Sequence, residues 1–198
     1  MRLWTAVVPL KLSDASKSRL GELLPIGRRL ELVETMARHV LQVLAQEPRF
    51  QRIVLLSPCR PEWWGGTFAR DVSGSLNEAL ATWRAGHDER PFAIIHGDLP
   101  YLQGPDIARL LDAGEEHGAA LASDLSGEGT NALAIADNRG FRFRFGPGSR
   151  QAHVSEGATL ACDVPGLARD IDTPADLADL IASGFLDTSG RPARGYSM

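Results

Sequence analysis

A three-layer α/β fold, with helices on both faces of a mainly parallel sheet, is predicted by two observations. Short apolar runs bounded by turn residues recur along the chain, and stretches with apolar residues at helical spacing lie between them. The runs are continuous rather than alternating, as in strands buried on both faces. They fall at Leu3–Val8, Arg52–Ser57 ("RIVLLS") and Phe92–His96 ("FAIIH"), with weaker ones at Ala119–Ser123 and Ala132–Ala136. Val33, Met36, Ala37, Val40, Leu41 and Leu44 repeat at helical spacing and predict a helix over Arg28–Ala45. Further helices are expected over Leu76–Ala85 and from Pro105 to Glu116, the second with proline in its first turn. Thr173 and Pro174 before "ADLADLIA" read as the N-cap and first position of a final helix.

The 198 residues suit one domain with a sizeable core, taken as 1–186, followed by a Gly-, Ser-, Pro- and Arg-rich tail at 187–198. A net charge of −4 supplies no general basic field, which argues against a nucleic-acid partner. Cys59 and Cys162 make neither a disulfide framework nor a zinc motif. With no targeting segment and no apolar run long enough for a membrane helix, the expected location is the cytoplasm.

In a parallel sheet, ligands bind beyond the carboxyl ends of the strands, and three polar features fall there. The first is "VVPLKLSDASKSRL", which follows the first strand. Of the 21 basic residues only Lys11 and Lys17 are lysines, and both lie in this stretch beside Arg19 and the hydroxyls of Ser13, Ser16 and Ser18. It matches neither GxGxxG nor GxxxxGK[ST]. Lysine is a compact, mobile point charge, suited to a phosphate whose charge shifts during reaction. Any one of these basic residues alone reads as surface charge; three in a loop after a buried strand favour an anion.

The second feature is "IIHGDLP". Asp98 directly after an apolar strand sits where a metal would be held, and Gly97 lets the backbone turn without a Cβ. Asp98 alone is as readily a turn or capping residue. The third is "RDIDTPADL", where Asp170 and Asp172 share one face of an extended segment with Ile171 on the other. Like charges so placed repel unless solvated or shared by a cation. With Asp98 they make an oxygen site suited to Mg²⁺. A helix cap beside Thr173 explains Asp172 well and Asp170 poorly.

Two glycine-rich pieces, "SGEGTNAL" and "FGPGS", offer backbone N–H groups with the hydroxyls of Thr130 and Ser149, and Ser149 reads as a helix start. The five histidines show no metal-ligand spacing, and His39 reads as helix surface. There is no GxSxG elbow and no cysteine nucleophile motif. Chemistry run by positioning, metal ions and positive charge fits these absences, and phosphoryl or nucleotidyl transfer is of that kind.

In their order along the chain, "VPLKLSDASKSRL", "GDLP", "GTNAL", "FGPGS" and "DIDTPADL" resemble the 2-phospho-L-lactate guanylyltransferase family, over about residues 4–183. The resemblance implies the Rossmann-like fold of the molybdenum-cofactor nucleotidyltransferases. It implies a guanylyl transfer from GTP to a small phosphorylated acid in the biosynthesis of the deazaflavin coenzyme F-420. On matching positions, it implies Mg²⁺, as two ions, on Asp98, Asp170 and Asp172. It implies the phosphorylated acid on Thr130, Gly146 and Ser149, the GTP phosphates facing Lys11, Lys17 and Arg19 with Ser18, and the base beside Asn77. The expected partners are then small molecules, GTP and a phosphorylated three-carbon acid, with a homodimer as an allowed assembly and neither nucleic acid nor membrane. The acid is 2-phospho-L-lactate, phosphoenolpyruvate or 3-phospho-D-glycerate. Leu10-Lys11-Leu12 departs from the family, where proline often follows the lysine, and Ser123-Asp124 with "SGEG" only approximates an Asp- and Gly-rich stretch. Two other readings stay open: a pterin-cofactor nucleotidyltransferase, disfavoured by the lack of a glycine-rich loop after the first strand, and a non-catalytic nucleotide-binding protein.

Overall fold

The computed structural model describes residues 2–86, 91–137 and 140–187. Residues 188–198 of the expected tail, and His87, lie outside the described residues. The described chain forms one seven-stranded sheet. Its strands are β1 (Trp4–Pro9), β2 (Phe50–Ser57), β3 (Thr67–Arg70), β4 (Phe92–Ile95), β5 (Ala119–Ser123), β6 (Thr130–Ile135) and β7 (Thr159–Leu160). The helices are α1 (Ile26–Gln46), α2 (Leu76–Gly86), α3 (Gly104–His117), α4 (Ser149–Ser155), α5 (Pro165–Ala168) and α6 (Pro174–Ala182).

The spatial order is β3-β2-β1-β4-β6-β5-β7. β1 pairs in parallel with β2 and β4, β2 with β3, and β5 with β7. β6 runs antiparallel to both β4 and β5. The sheet is therefore mainly parallel, as expected, with one reversed strand inserted beside β4. Every expected strand and helix is present, with ends shifted by a few residues. β3 and β7 were not foreseen; four residues and two are too few to show a period.

Side chains leave the central strands on alternate faces, as the two-residue period of a strand requires. Ala6 and Val8 join one core with α1, α3, α5 and α6, while Val7 joins the other with α2 and the aromatic segment of Phe141, Phe143 and Phe145. α1 turns Leu32, Val33, Met36, Ala37, Val40, Leu41 and Leu44 inward, the stripe read from the sequence with Leu32 added. His39 corrects an expectation: it is half-buried, its Nε2 lies 3.0 Å from the Leu102 carbonyl, and its ring meets Phe185 edge-on at 5.5 Å. It ties α1 to the loop after β4 instead of facing solvent.

Two helix starts fix the placement of the polar segments beyond the strands. Thr173 accepts from the Asp176 N–H, and Asp176 Oδ2 accepts from the N–H of Thr173 at 2.7 Å, a capping box that sets the entry to α6. Upstream, Gly166 of α5 packs so closely that a Cβ there would meet Asp106 Oδ2 at 2.4 Å and the Tyr101 carbonyl at 2.5 Å. Its N–H donates to Asp106 Oδ1 at 3.2 Å, joining α5 to the start of α3. This contact sets the height of the segment that carries Asp170 and Asp172. Gly166→Ala is expected to cost about 2 kcal/mol through overpacking, read as a lower urea midpoint with an unchanged slope.

Candidate metal and nucleotide site

Asp98, Asp170 and Asp172 meet beyond the carboxyl end of β4, with one carboxylate oxygen from each within 4.8 Å of the others. Asp98 follows β4 after His96 and Gly97. The His96 N–H donates to the Asn131 carbonyl at 3.0 Å and prolongs the β4–β6 pairing up to the cluster. Gly97 corrects another expectation. It has no positive φ, and a Cβ would sit at ordinary contact distance, 3.5 Å from Ala37 and Val8. The turn itself does not need glycine.

Ile171 is buried in the core at 1% exposure, which turns the flanking Asp170 and Asp172 outward together. Asp172 does take part in the helix cap, but only through its backbone, whose N–H donates to Asp176 Oδ2 at 3.0 Å. Its carboxylate is left for the site. Asp170 is held from β6. Ser123 pairs with Thr130 while Ala122 pairs with Ala132, so Asn131 is an extra residue in the ladder. Its Nδ2 donates to Asp170 Oδ1 at 3.2 Å. A bulge re-aims a side chain in this way, and Asn131, adjacent to Thr130 in the quoted GTN motif, is a site residue that motif reading passed over.

Lys17 enters this group of carboxylates. Its Nζ lies 2.5 Å from Asp98 Oδ2 and 2.8 Å from Asp172 Oδ1, and its side chain is 7% exposed. Its backbone has φ 49° and ψ 41°, a left-handed conformation unfavourable for a residue with a Cβ. The loop holds it there: Arg29 Nη1 donates to the carbonyls of Ser16 (2.8 Å) and Asp14 (3.2 Å), and Ser16 Oγ donates to the Lys11 carbonyl at 2.8 Å. Arg29 lies on α1 outside the motif, so no sequence signal linked it to the loop. Burial alone would lower the Lys17 pKa, but Asp98 and Asp172 outweigh it and hold the ammonium above its ordinary value. Burial would raise Asp98, and the Lys17 charge overrides it and keeps that carboxyl below the usual range. Asp170 goes the other way: burial, then the Asp98 charge, pushes it up despite the Asn131 hydrogen bond.

The donor set fits a hard divalent cation. Three carboxylates converge, one ammonium neutralises only part of their charge, and Asp98 Oδ1 is buried with no hydrogen-bond partner. A cation supplies the partner that this oxygen lacks.

Two clefts open on either side, and Asp172 lines both. One, of about 250 Å³, is lined by Arg19, Asp124, Ser126, Asp170 and Asp176 among others. The other, of similar volume, runs past Leu10, Lys11, Ser16, Lys17, Leu76, His96 and Asp98. The expected basic loop is thus divided: Lys17 faces the carboxylates, exposed Lys11 one cleft and exposed Arg19 the other, with exposed Ser18 between them.

Two of the three expected acid-binding residues are buried, and Gly146 is exposed. Thr130 is 3% exposed and Ser149 2% exposed, and Thr130 Oγ1 lies 3.0 Å from His153 Nδ1. Gly146, at φ 123°, is in a conformation only glycine adopts readily. Asn77, expected beside a base, has both ends of its amide occupied: Nδ2 donates to the Phe145 carbonyl at 2.9 Å and Oδ1 accepts from the Phe145 N–H at 2.8 Å. It fastens α2 to the Phe145–Gly146 turn. His153 is buried and His96 half-buried with its Nε2 enclosed; burial and not spacing sets them apart, so metal-ligand patterns in the sequence do not point to them.

Because the raised pKa of Asp170 means that its ionisation opposes folding, that carboxylate costs stability at neutral pH until a cation joins the cluster. Saturating Mg²⁺, at about 100 times its dissociation constant, is expected to add about 2.7 kcal/mol and to raise the unfolding temperature. The shift shrinks as pH falls through the carboxylate range, where protons compete with the ion. Asp170→Asn is expected to raise the metal-free unfolding temperature while reducing the Mg²⁺-dependent shift, as read by differential scanning fluorimetry.

Comparison with known proteins places this geometry. The family profile described as "Guanylyl transferase CofC like" matches residues 4–196. The phosphoenolpyruvate guanylyltransferase of Rubrobacter xylanophilus is 36% identical over 203 aligned positions, covering 95% of this chain and 98% of that protein. Its counterpart from Nocardia farcinica is 32% identical over 193 positions, covering 90% and 85%. Among solved structures, a nucleotidyl transferase from Methanothermobacter superimposes with a TM-score of 0.61 at 14% identity, covering 91% of this chain and 97% of that one. That likeness shows the nucleotidyltransferase-type fold, while the sequence relatives show the kind of enzyme. The chain belongs to the CofC-like guanylyl transferase family, and is an enzyme of the nucleotidyltransferase class.

Proposed function

We propose that the protein transfers GMP from GTP onto a small phosphorylated carboxylic acid and releases pyrophosphate, in the biosynthesis of coenzyme F-420. The observation that carries this reading is the three-carboxylate cluster, with its unpartnered Asp98 oxygen, at the junction of two clefts. A transfer between two substrates needs such a meeting point. Relatives named for phosphoenolpyruvate make that acid the leading acceptor, ahead of 3-phospho-D-glycerate and 2-phospho-L-lactate.

A phosphate oxygen of the acid attacks the α-phosphorus of GTP, a new P–O bond forms, and the bond to the β-phosphate bridging oxygen breaks. The acid needs no general base, because a phosphate monoester loses its second proton near a pKa of about 6. This agrees with a site whose charged groups are carboxylates, lysines and an arginine. Asp98, Asp170 and Asp172 would hold Mg²⁺, which when bound supplies Lewis-acid charge to phosphate oxygens. Lys11 and Arg19, exposed on either side, offer positive charge to the triphosphate and to the departing pyrophosphate. Lys17 neutralises part of the carboxylate charge and sits close enough to shift onto phosphate oxygens when they arrive. Thr130, Gly146 and Ser149 contribute the acid contacts, and Ser18 a hydroxyl for the nucleotide.

Purified protein with GTP and Mg²⁺ is expected to release pyrophosphate only when one of the three acids is present. Asp98→Asn is expected to lower kcat by about 10³-fold with the fold intact, since metal stabilisation of transition-state charge is worth several kcal/mol. Lys17→Ala is expected to lower turnover as well. Wild-type rates in Asp98→Asn, or no release with any acid from protein that still binds GTP, would overturn the assignment.

A further inference from the structure

His153 is enclosed completely, at 0% exposure, between Phe141, which stacks on it at 5.7 Å, and Phe145, which meets it edge-on at 4.8 Å. Both of its nitrogens are engaged. The Arg144 backbone N–H donates to Nε2 at 2.9 Å. A backbone amide can only donate, so Nε2 must carry a lone pair and no hydrogen. A neutral imidazole then has its one hydrogen on Nδ1. Nδ1 lies 3.0 Å from Thr130 Oγ1, so it is the ring that donates and the hydroxyl that accepts.

That assignment determines what Thr130 can do next. Its oxygen already accepts from the ring, and no acceptor for its own hydrogen occurs among the described residues. The hydroxyl is left as a donor, nearly enclosed, where a charge-assisted hydrogen bond to an anion is strong. The opposite ring tautomer would draw the hydroxyl hydrogen toward Nδ1 and present a lone pair to an incoming anion.

We propose that His153 is a positioning residue that commits Thr130 to donate its hydroxyl hydrogen to an anionic oxygen of the phosphorylated acid. This rests on the reading of Thr130 as an acid contact. The ring is suited to the task because burial pushes its pKa down to about 4, so it keeps the neutral form throughout the neutral range. Phe141 and Phe145 exclude the water that would otherwise solvate an imidazolium.

The test has a spectroscopic and a kinetic arm. In ¹⁵N–¹H correlation spectra of the wild-type protein near neutral pH, His153 is expected with hydrogen on Nδ1 and none on Nε2. The other tautomer, or an imidazolium, overturns the proposal, and this arm needs no variant to fold. In kinetics, His153→Phe keeps the aromatic packing and loses the donor, and is expected to raise the KM for phosphoenolpyruvate about 10- to 100-fold with the KM for GTP unchanged. His153→Asn keeps a donor near the Nδ1 position and is expected to recover much of that loss. Thr130→Val, which removes the donating hydroxyl itself, is expected to raise the acid KM at least as much as His153→Phe, and the double variant to be no worse than Thr130→Val, since His153 acts only through Thr130. An unchanged acid KM in Thr130→Val sinks the acid-site reading itself. A raised acid KM in Thr130→Val with none in folded His153→Phe sinks the role of His153 alone.

Discussion

Three carboxylates held together against their mutual repulsion are the constraint on which the rest of the site depends. The Lys17 ammonium holds Asp98 below the usual carboxylate range, while burial and then the Asp98 charge push Asp170 above it. Lys17 answers part of the repulsion. Its ammonium joins Asp98 and Asp172, is retained by them across the neutral range, and loses its contribution only as pH rises through its elevated pKa or falls through the lowered pKa of Asp98. The balance left over is negative, and one buried oxygen of Asp98 has no partner. Such a site is poor as a source of stability and well prepared for a cation.

The surrounding fold converts that electrostatic demand into geometry. The parallel strands β1 and β4 bring the lysine loop and Asp98 to the same edge of the sheet. The antiparallel β6, with its bulge at Asn131, reaches the same edge from the other direction and holds Asp170. Ile171, anchored in the core, and the Thr173–Asp176 cap fix the height and direction of the two remaining carboxylates. The strained backbone of Lys17 is retained by Arg29 from α1. Interactions from one face of the sheet and from the ends of its strands thus converge on one small charged region, and on the other face the aromatic group encloses His153.

Much of this is legible in the sequence alone. Buried strands and the α1 stripe announce themselves by continuity and period, and Asp170-Ile171-Asp172 by the alternation of an extended chain. The features that stay hidden depend on contacts far apart in sequence. The clasp of Asn77 on Phe145 spans 68 positions and that of His153 on Thr130 spans 23. Polar residues whose partners are remote look like ordinary loop or helix residues in a linear reading. His39 is the simplest case: its spacing on α1 is compatible with a surface position, and the Leu102 carbonyl and the Phe185 ring that give it partners are remote in sequence. β3 and β7 escape for a different reason, since edge segments this short carry no periodic signal.

The central claim is that Asp98, Asp170 and Asp172 form a divalent-cation site, and direct observation of the ion tests it most simply. Mn²⁺ titrated into the protein without nucleotide can be followed by electron paramagnetic resonance, which separates free from bound ion. Saturable binding that is lost in Asp98→Asn is the result the cluster predicts. Mn²⁺ that stays free in the presence of folded wild-type protein, or binds Asp98→Asn equally well, would contradict it.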